Sequence, residues 1–115
     1  MTPQDKRYPE YQRLCTEIME LENVTYVDGV LSHGRSSLSP APTYLDDASI
    51  DAVVRKLDND SKYLFFDCLT LATSTEEEWT DRTQAGEQKR FIKCLTALPE
   101  QKAEALSRTI MGEAR

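Results

Sequence analysis

Histidine occurs once in these 115 residues, at His33, and none of the four glycines builds a phosphate-binding loop. A lone histidine gives little material for an imidazole metal site or a nucleophile–base pair. There are three cysteines, Cys15, Cys68 and Cys94, widely spaced and without a Cys-x-x-Cys. An odd, scattered set excludes a disulfide framework, and its spacing does not support a zinc site with His33. Each cysteine sits in an apolar pattern, so buried free thiols in a reducing compartment are expected. No apolar run approaches the ~18 residues of a membrane span. The opening MTPQDKRYPE has no apolar core of a signal peptide, so a cytoplasmic protein is expected.

What is present is acid. The net charge is −6, unevenly spread. Residues 1–81 carry 16 acidic and 7 basic side chains, and residues 82–115 carry 4 and 7. Net acidity disfavours nucleic acid, whose phosphates it repels. The basic Lys89, Arg90 and Lys93 keep nucleic-acid binding as a third and weakest reading. Length and 39% hydrophobic content suit one soluble domain, residues 1–115.

The densest apolar run is YLFFDCLTLA, residues 63–72. Read as a strand, it would place a polar residue at the centre of each face. Read as a helix, it gathers Tyr63, Asp67, Thr70 and Ser74 into one narrow stripe at i, i+4, i+7, i+11. The helix is preferred, with Ser61 as its N-cap. So wide an apolar arc requires cover on most sides, which makes it the central helix of a bundle. Asp67 on its stripe reaches solvent or a partner. The alternative is a pKa-shifted carboxylate at a site.

Around this helix the pattern predicts others. Tyr11, Leu14, Cys15, Ile18 and Leu21 form the stripe of a helix over 9–22. Ile50, Val53, Val54 and Leu57 form that of a helix over 47–57, capped by Asp46 or Asp47. Asp58-Asn59-Asp60 reads as a turn, without the glycine and distal glutamate of a calcium loop. Ser74 with Glu77 and Thr75 with Glu78 both have capping-box spacing, so a helix begins near Thr75. It ends near Leu98, with Phe91, Ile92, Leu95 and Leu98 as its apolar face. Trp79 lies roughly 120° from that face, which predicts a break at Gly86 or an outward-pointing Trp79. A last helix from Pro99 to Met111, with Ala103, Leu106 and Ile110 as its stripe, is the least apolar and is expected at the periphery.

Between the first two helices, Val24–Val27 and Val30–Ser32 flank Asp28-Gly29, the pattern of a small β-hairpin (24–32) that would need to lie on a helix. The alternative is an irregular connection. Residues 32–43, rich in serine and proline, are expected to be a flexible loop. The fold class is thus all-α: a compact bundle of about five helices around a buried central helix, residues 63–73, with the hairpin as an option.

The function these features favour is that of an acidic cytoplasmic interaction domain, an inhibitor, immunity-type or adaptor protein. It would occlude a basic protein partner through Glu76, Glu77, Glu78, Trp79 and Asp81, with Asp46 and Asp47 as a second acidic cluster. The alternative is a helical ligand-binding protein or enzyme whose pocket holds Tyr63, Asp67, Thr70 and His33. No catalytic motif, cofactor, metal or membrane contact is expected, and a homo-oligomer is left open.

Overall fold

The computed structural model describes residues 1–21, 24–27, 30–33, 37–40 and 42–112, the strands by their backbone. The fold is an all-α bundle of six helices with a small antiparallel sheet inserted after the first. The helices are α1 (Tyr8–Ile18), α2 (Asp47–Lys56), α3 (Asn59–Thr73), α4 (Glu76–Thr80), α5 (Gln84–Leu95) and α6 (Pro99–Met111). The strands β1 (Val24–Val27), β2 (Val30–His33) and β3 (Ser37–Pro40) pair in that order.

Local chemistry sets most boundaries. The Asp46 carboxylate accepts from the Ser49 N–H at 2.7 Å and starts α2. Asp58 does the same for α3, accepting from the Ser61 N–H at 2.7 Å. Thus Asp58, not Ser61, is the cap, and the expected turn at 58–60 is the first turn of the helix. Thr75 and Glu78 form the predicted capping box of α4. Pro99 opens α6 and Gly112, at φ 69°, closes it.

Helix α1 stops earlier than its stripe predicts. Glu20 takes a left-handed φ of 60°. The Leu21 N–H reaches back to Thr16 O at 3.1 Å and the Glu20 N–H to Glu17 O at 3.0 Å. That pairing is a Schellman ending, and it turns Leu21 out to solvent. Glu22 lies outside the described residues.

The hairpin is present, pairing Val24 with His33 through Val27 with Val30. Its turn, Asp28-Gly29, lies outside the described residues. Ser37–Pro40, expected in the loop 32–43, pairs with β2 as a third strand. Pro40 is tolerated because β3 is an edge strand, where a missing N–H breaks no ladder bond. Among the described residues the strands contact mainly one another. The third strand adds the pairing that a lone two-stranded hairpin lacks.

Two apolar clusters make the core. One gathers Tyr11, Cys15, Tyr44, Ile50, Val53, Ala103 and Leu106. The other gathers Cys68, Leu69, Cys94, Ala97 and Ala105. Helix α6 belongs to both, with Ala103, Ala105, Leu106 and Ser107 fully buried. It is therefore the spine of the bundle and not a peripheral helix. Low apolarity misleads here, because alanine and serine let α3 approach α6 closely; these two helices share the most extensive contact of any pair.

Helix α3 is the other hub, packing against α2, α5 and α6. Its cover is incomplete, however: Phe66 and Leu71 reach solvent. The expected polar stripe does not face outward as a unit. Tyr63 is exposed, Asp67 half-buried and Thr70 buried. The Thr70 hydroxyl donates to Phe66 O at 2.8 Å and sits 3.4 Å from Cys94 Sγ.

Candidate interaction surface

The expected long helix from Thr75 is broken, at 81–83 rather than at Gly86. Thr83 caps α5 by accepting from the Gly86 N–H at 3.1 Å. Asp81 holds that corner by accepting from the Thr83 N–H at 2.9 Å and hydroxyl at 2.7 Å. These bonds keep its carboxyl below the usual carboxylate range. Gly86 is buried in the first turn of α5, where a Cβ would lie 2.5 Å from Asp81 Cγ. The glycine thus permits the break without being it.

Much of the acidic cluster serves this corner. Glu78 takes part in the capping box and pairs with Lys93, and the lysine and the Thr75 N–H hold its carboxyl below the usual range. Arg90 is buried, and its guanidinium donates to Glu78 O at 2.6 Å and to Asp81 O. A cation on the last carbonyls of α4 answers the negative end of that helix. Glu76 and Glu77 are exposed, and Trp79 is half-buried beside them. In the second cluster Asp46 is the α2 cap, and Asp47 pairs with Lys102 at 3.1 Å. Of the basic trio Lys89, Arg90 and Lys93, only Lys89 is exposed without an ion pair among the described residues.

Of the residues of the alternative pocket, Tyr63 lines a surface hollow with Asn59, Lys62, Phe66 and Phe91, while Asp67 and Thr70 do not. His33 ends β2, and its side chain lies outside the described residues. Among the described residues no group of histidine, cysteine or acid side chains is placed to hold a metal. Among the described residues no helix is long and apolar enough to cross a membrane. The cysteines are free and buried, and burial pushes the Cys15 thiol up to about 12.

The largest departure from expectation is the direction α5 faces. Phe91, Ile92, Leu95 and Leu98, read as a core face, are 54%, 57%, 64% and 62% exposed. The buried side is Gly86, Arg90 and Cys94, followed by Ala97. Both sets have helical spacing, and the one with Gly86, Cys94 and Ala97 turned inward, taking Arg90 with it. Among the described residues helix α5 packs mainly on α3 and α4, and the side carrying Phe91, Ile92 and Leu95 is exposed. On α3, Tyr63 at 73% and Phe66 at 43% exposure extend the same surface to Phe91. A second hollow, which Phe91 also lines, is formed with Gln84, Glu87, Gln88 and Ile92. Lys93, which touches α4, lies about 160° around α5 from Leu95 at 100° per residue. The apolar face and the acidic α4 therefore occupy opposite sides of the helix. The signal that could have located this face was the competing stripe of small residues Gly86, Cys94 and Ala97, with Arg90 among them.

No protein-family model, no curated protein and no solved structure matches this chain.

Proposed function

We propose that this chain is a non-enzymatic protein-interaction domain, an adaptor or inhibitor that works by covering the surface it binds. One observation supports the reading: six large apolar side chains of α3, α5 and the turn after it, Tyr63, Phe66, Phe91, Ile92, Leu95 and Leu98, stand together in solvent. Single exposed apolar residues need no explanation, but a contiguous patch with two phenylalanines and a tyrosine has the make-up of a docking surface. Such anchors supply most of the affinity of an interface. On the far side of α5, Glu76 and Glu77 remain available to steer a basic partner. Three buried free thiols fit a reducing, cytoplasmic setting.

The test is a double variant, Phe91→Asp with Leu95→Asp, whose folding is checked by circular dichroism. Loss of every complex formed by the native protein is the expected result. Retention of all of them by a folded variant would sink the proposal. Glu76→Lys with Glu77→Lys tests the acidic side separately and should slow association without abolishing it.

A further inference from the structure

We infer that the occupant of the apolar face is a second copy of this chain, seated across a two-fold axis beside Phe91. The inference rests on the reading of that face as a docking surface and names its partner.

Three features of the face make it complementary to itself. The first is shape. Phe91 is more than half exposed and lines both hollows, a projecting ridge beside each. A two-fold operation beside a ridge drops it into the partner's hollow and returns the partner's ridge to its own. An isologous contact has this property, each patch meeting the same patch. The hollow on the α3 side, about 520 Å³ and walled by Tyr63 and Phe66, is large enough for a phenyl ring.

The second is charge. Each hollow carries one charged side chain, of opposite sign: Lys62 on the α3 side and Glu87 on the other. Both are exposed. The same rotation brings Lys62 of one copy opposite Glu87 of the other, twice per dimer. The remaining rim residues, Asn59, Gln84 and Gln88, are neutral donors and acceptors that tolerate either neighbour. A basic partner would find one cation and one anion here, with no net attraction.

The third is area. Six large side chains, each at least two-fifths exposed, offer on the order of 700 Å², near the roughly 800 Å² per partner of a standard interface. The acidic α4 lies on the far side of α5 and stays uncovered in such a pair.

The experiment is analytical ultracentrifugation of the native chain and four variants, with circular dichroism confirming that each is folded. The native chain should sediment at twice its 13.1 kDa mass at micromolar concentration. Phe91→Asp should weaken the pair at least about thirtyfold. Lys62→Glu and Glu87→Lys should each weaken it about three- to tenfold, since each sets like charges opposite twice. Mixing the two single variants should restore association as a heterodimer, as should Lys62→Glu with Glu87→Lys in one chain. A native monomer at 100 μM overturns the inference, as does a dimer indifferent to Phe91→Asp. Single charge reversals that are not rescued by mixing overturn the two-fold arrangement. If the chain is monomeric while Phe91→Asp still abolishes binding to some other protein, the docking reading stands and only the second copy is wrong. If Phe91→Asp disturbs nothing, both fail.

Discussion

Three positions set side-chain size against backbone conformation or close packing. Glu20 occupies the left-handed position that ends α1, where a side chain costs roughly 1 kcal/mol or more relative to glycine. Glu20→Gly should therefore stabilise the protein by about 1 kcal/mol, read as a higher urea midpoint at unchanged slope. Gly86 runs the other way. Alanine is the better helix former, yet its Cβ would overlap the Asp81 side chain that fastens the α4–α5 corner. Gly86→Ala should destabilise by about 1–3 kcal/mol, by the same measurement. A stabilised Gly86→Ala would mean that the corner gives way without cost. Tyr44 is a third case: φ is 52°, yet the side chain is buried and its carbonyl accepts from the Tyr11 hydroxyl at 2.8 Å. Packing and this bond hold a conformation that sequence alone would not assign to tyrosine.

At the scale of elements, size and burial are inverted between α5 and α6. Leu95 is large and exposed, whereas Ala105 is small and fully buried. In the monomer, at concentrations too low for association, Leu95→Ala should change stability by less than about 0.5 kcal/mol, the ordinary value for surface sites. Ala105→Leu should cost about 1–3 kcal/mol or more, because α3 leaves no room for the extra carbons. Thermal unfolding of the two variants tests the inversion, and equal losses would refute it. The same pair explains how far the sequence could be read. The caps at Asp46 and Thr75 and the limits of α6 were legible, because they depend on chemistry within a few residues. Which face of α5 turns inward was not, because a rule that buries the largest side chains selects Phe91 and Leu95. Close helix packing instead selected Gly86, Cys94, Ala97 and Ala105. The acidic candidates were read as free for the same reason. Glu78 and Asp81 are engaged by Lys93 and Thr83, and pairing across 15 residues, as for Lys93, leaves little trace in the sequence.

For the whole molecule, acid and salt act in separable ways. Several carboxyls titrate below their usual range in the folded state. Asp5 is held at about 2 by hydrogen bonds from Arg7. Burial raises Glu104, but Arg7 at 3.1 Å and the Met1 amino group at 3.3 Å together leave it lowered. Glu78, Asp81, Asp46 and Asp58 are lowered by their own donors. A folded pKa below the unfolded one stabilises at pH above the unfolded value and loses that contribution as pH falls through the folded one. The melting temperature should therefore hold from neutrality to about pH 5 and drop steeply from about pH 4 toward 2, since model carboxyls titrate near 4. A melting temperature flat to pH 2 would mean that these pairs contribute nothing.

Salt separates the two kinds of partner. Each copy carries −6, so two copies repel at a distance while their apolar faces attract at contact. Screening shortens that repulsion to about 10 Å at 0.1 M salt and about half that at 0.4 M. The rim pairs Lys62 and Glu87 lose some attraction over the same range, but exposed pairs are worth only about 0.2–1 kcal/mol each. The dimer should therefore tighten, or at the least not loosen, between 50 and 400 mM sodium chloride. A complex with a basic protein steered by Glu76 and Glu77 should loosen over the same interval, mainly through a slower association rate. Sedimentation at the two salt concentrations, beside stopped-flow association with any basic partner, reads both effects. A dimer that dissociates on adding salt would show that charge, rather than the Phe91 face, holds it.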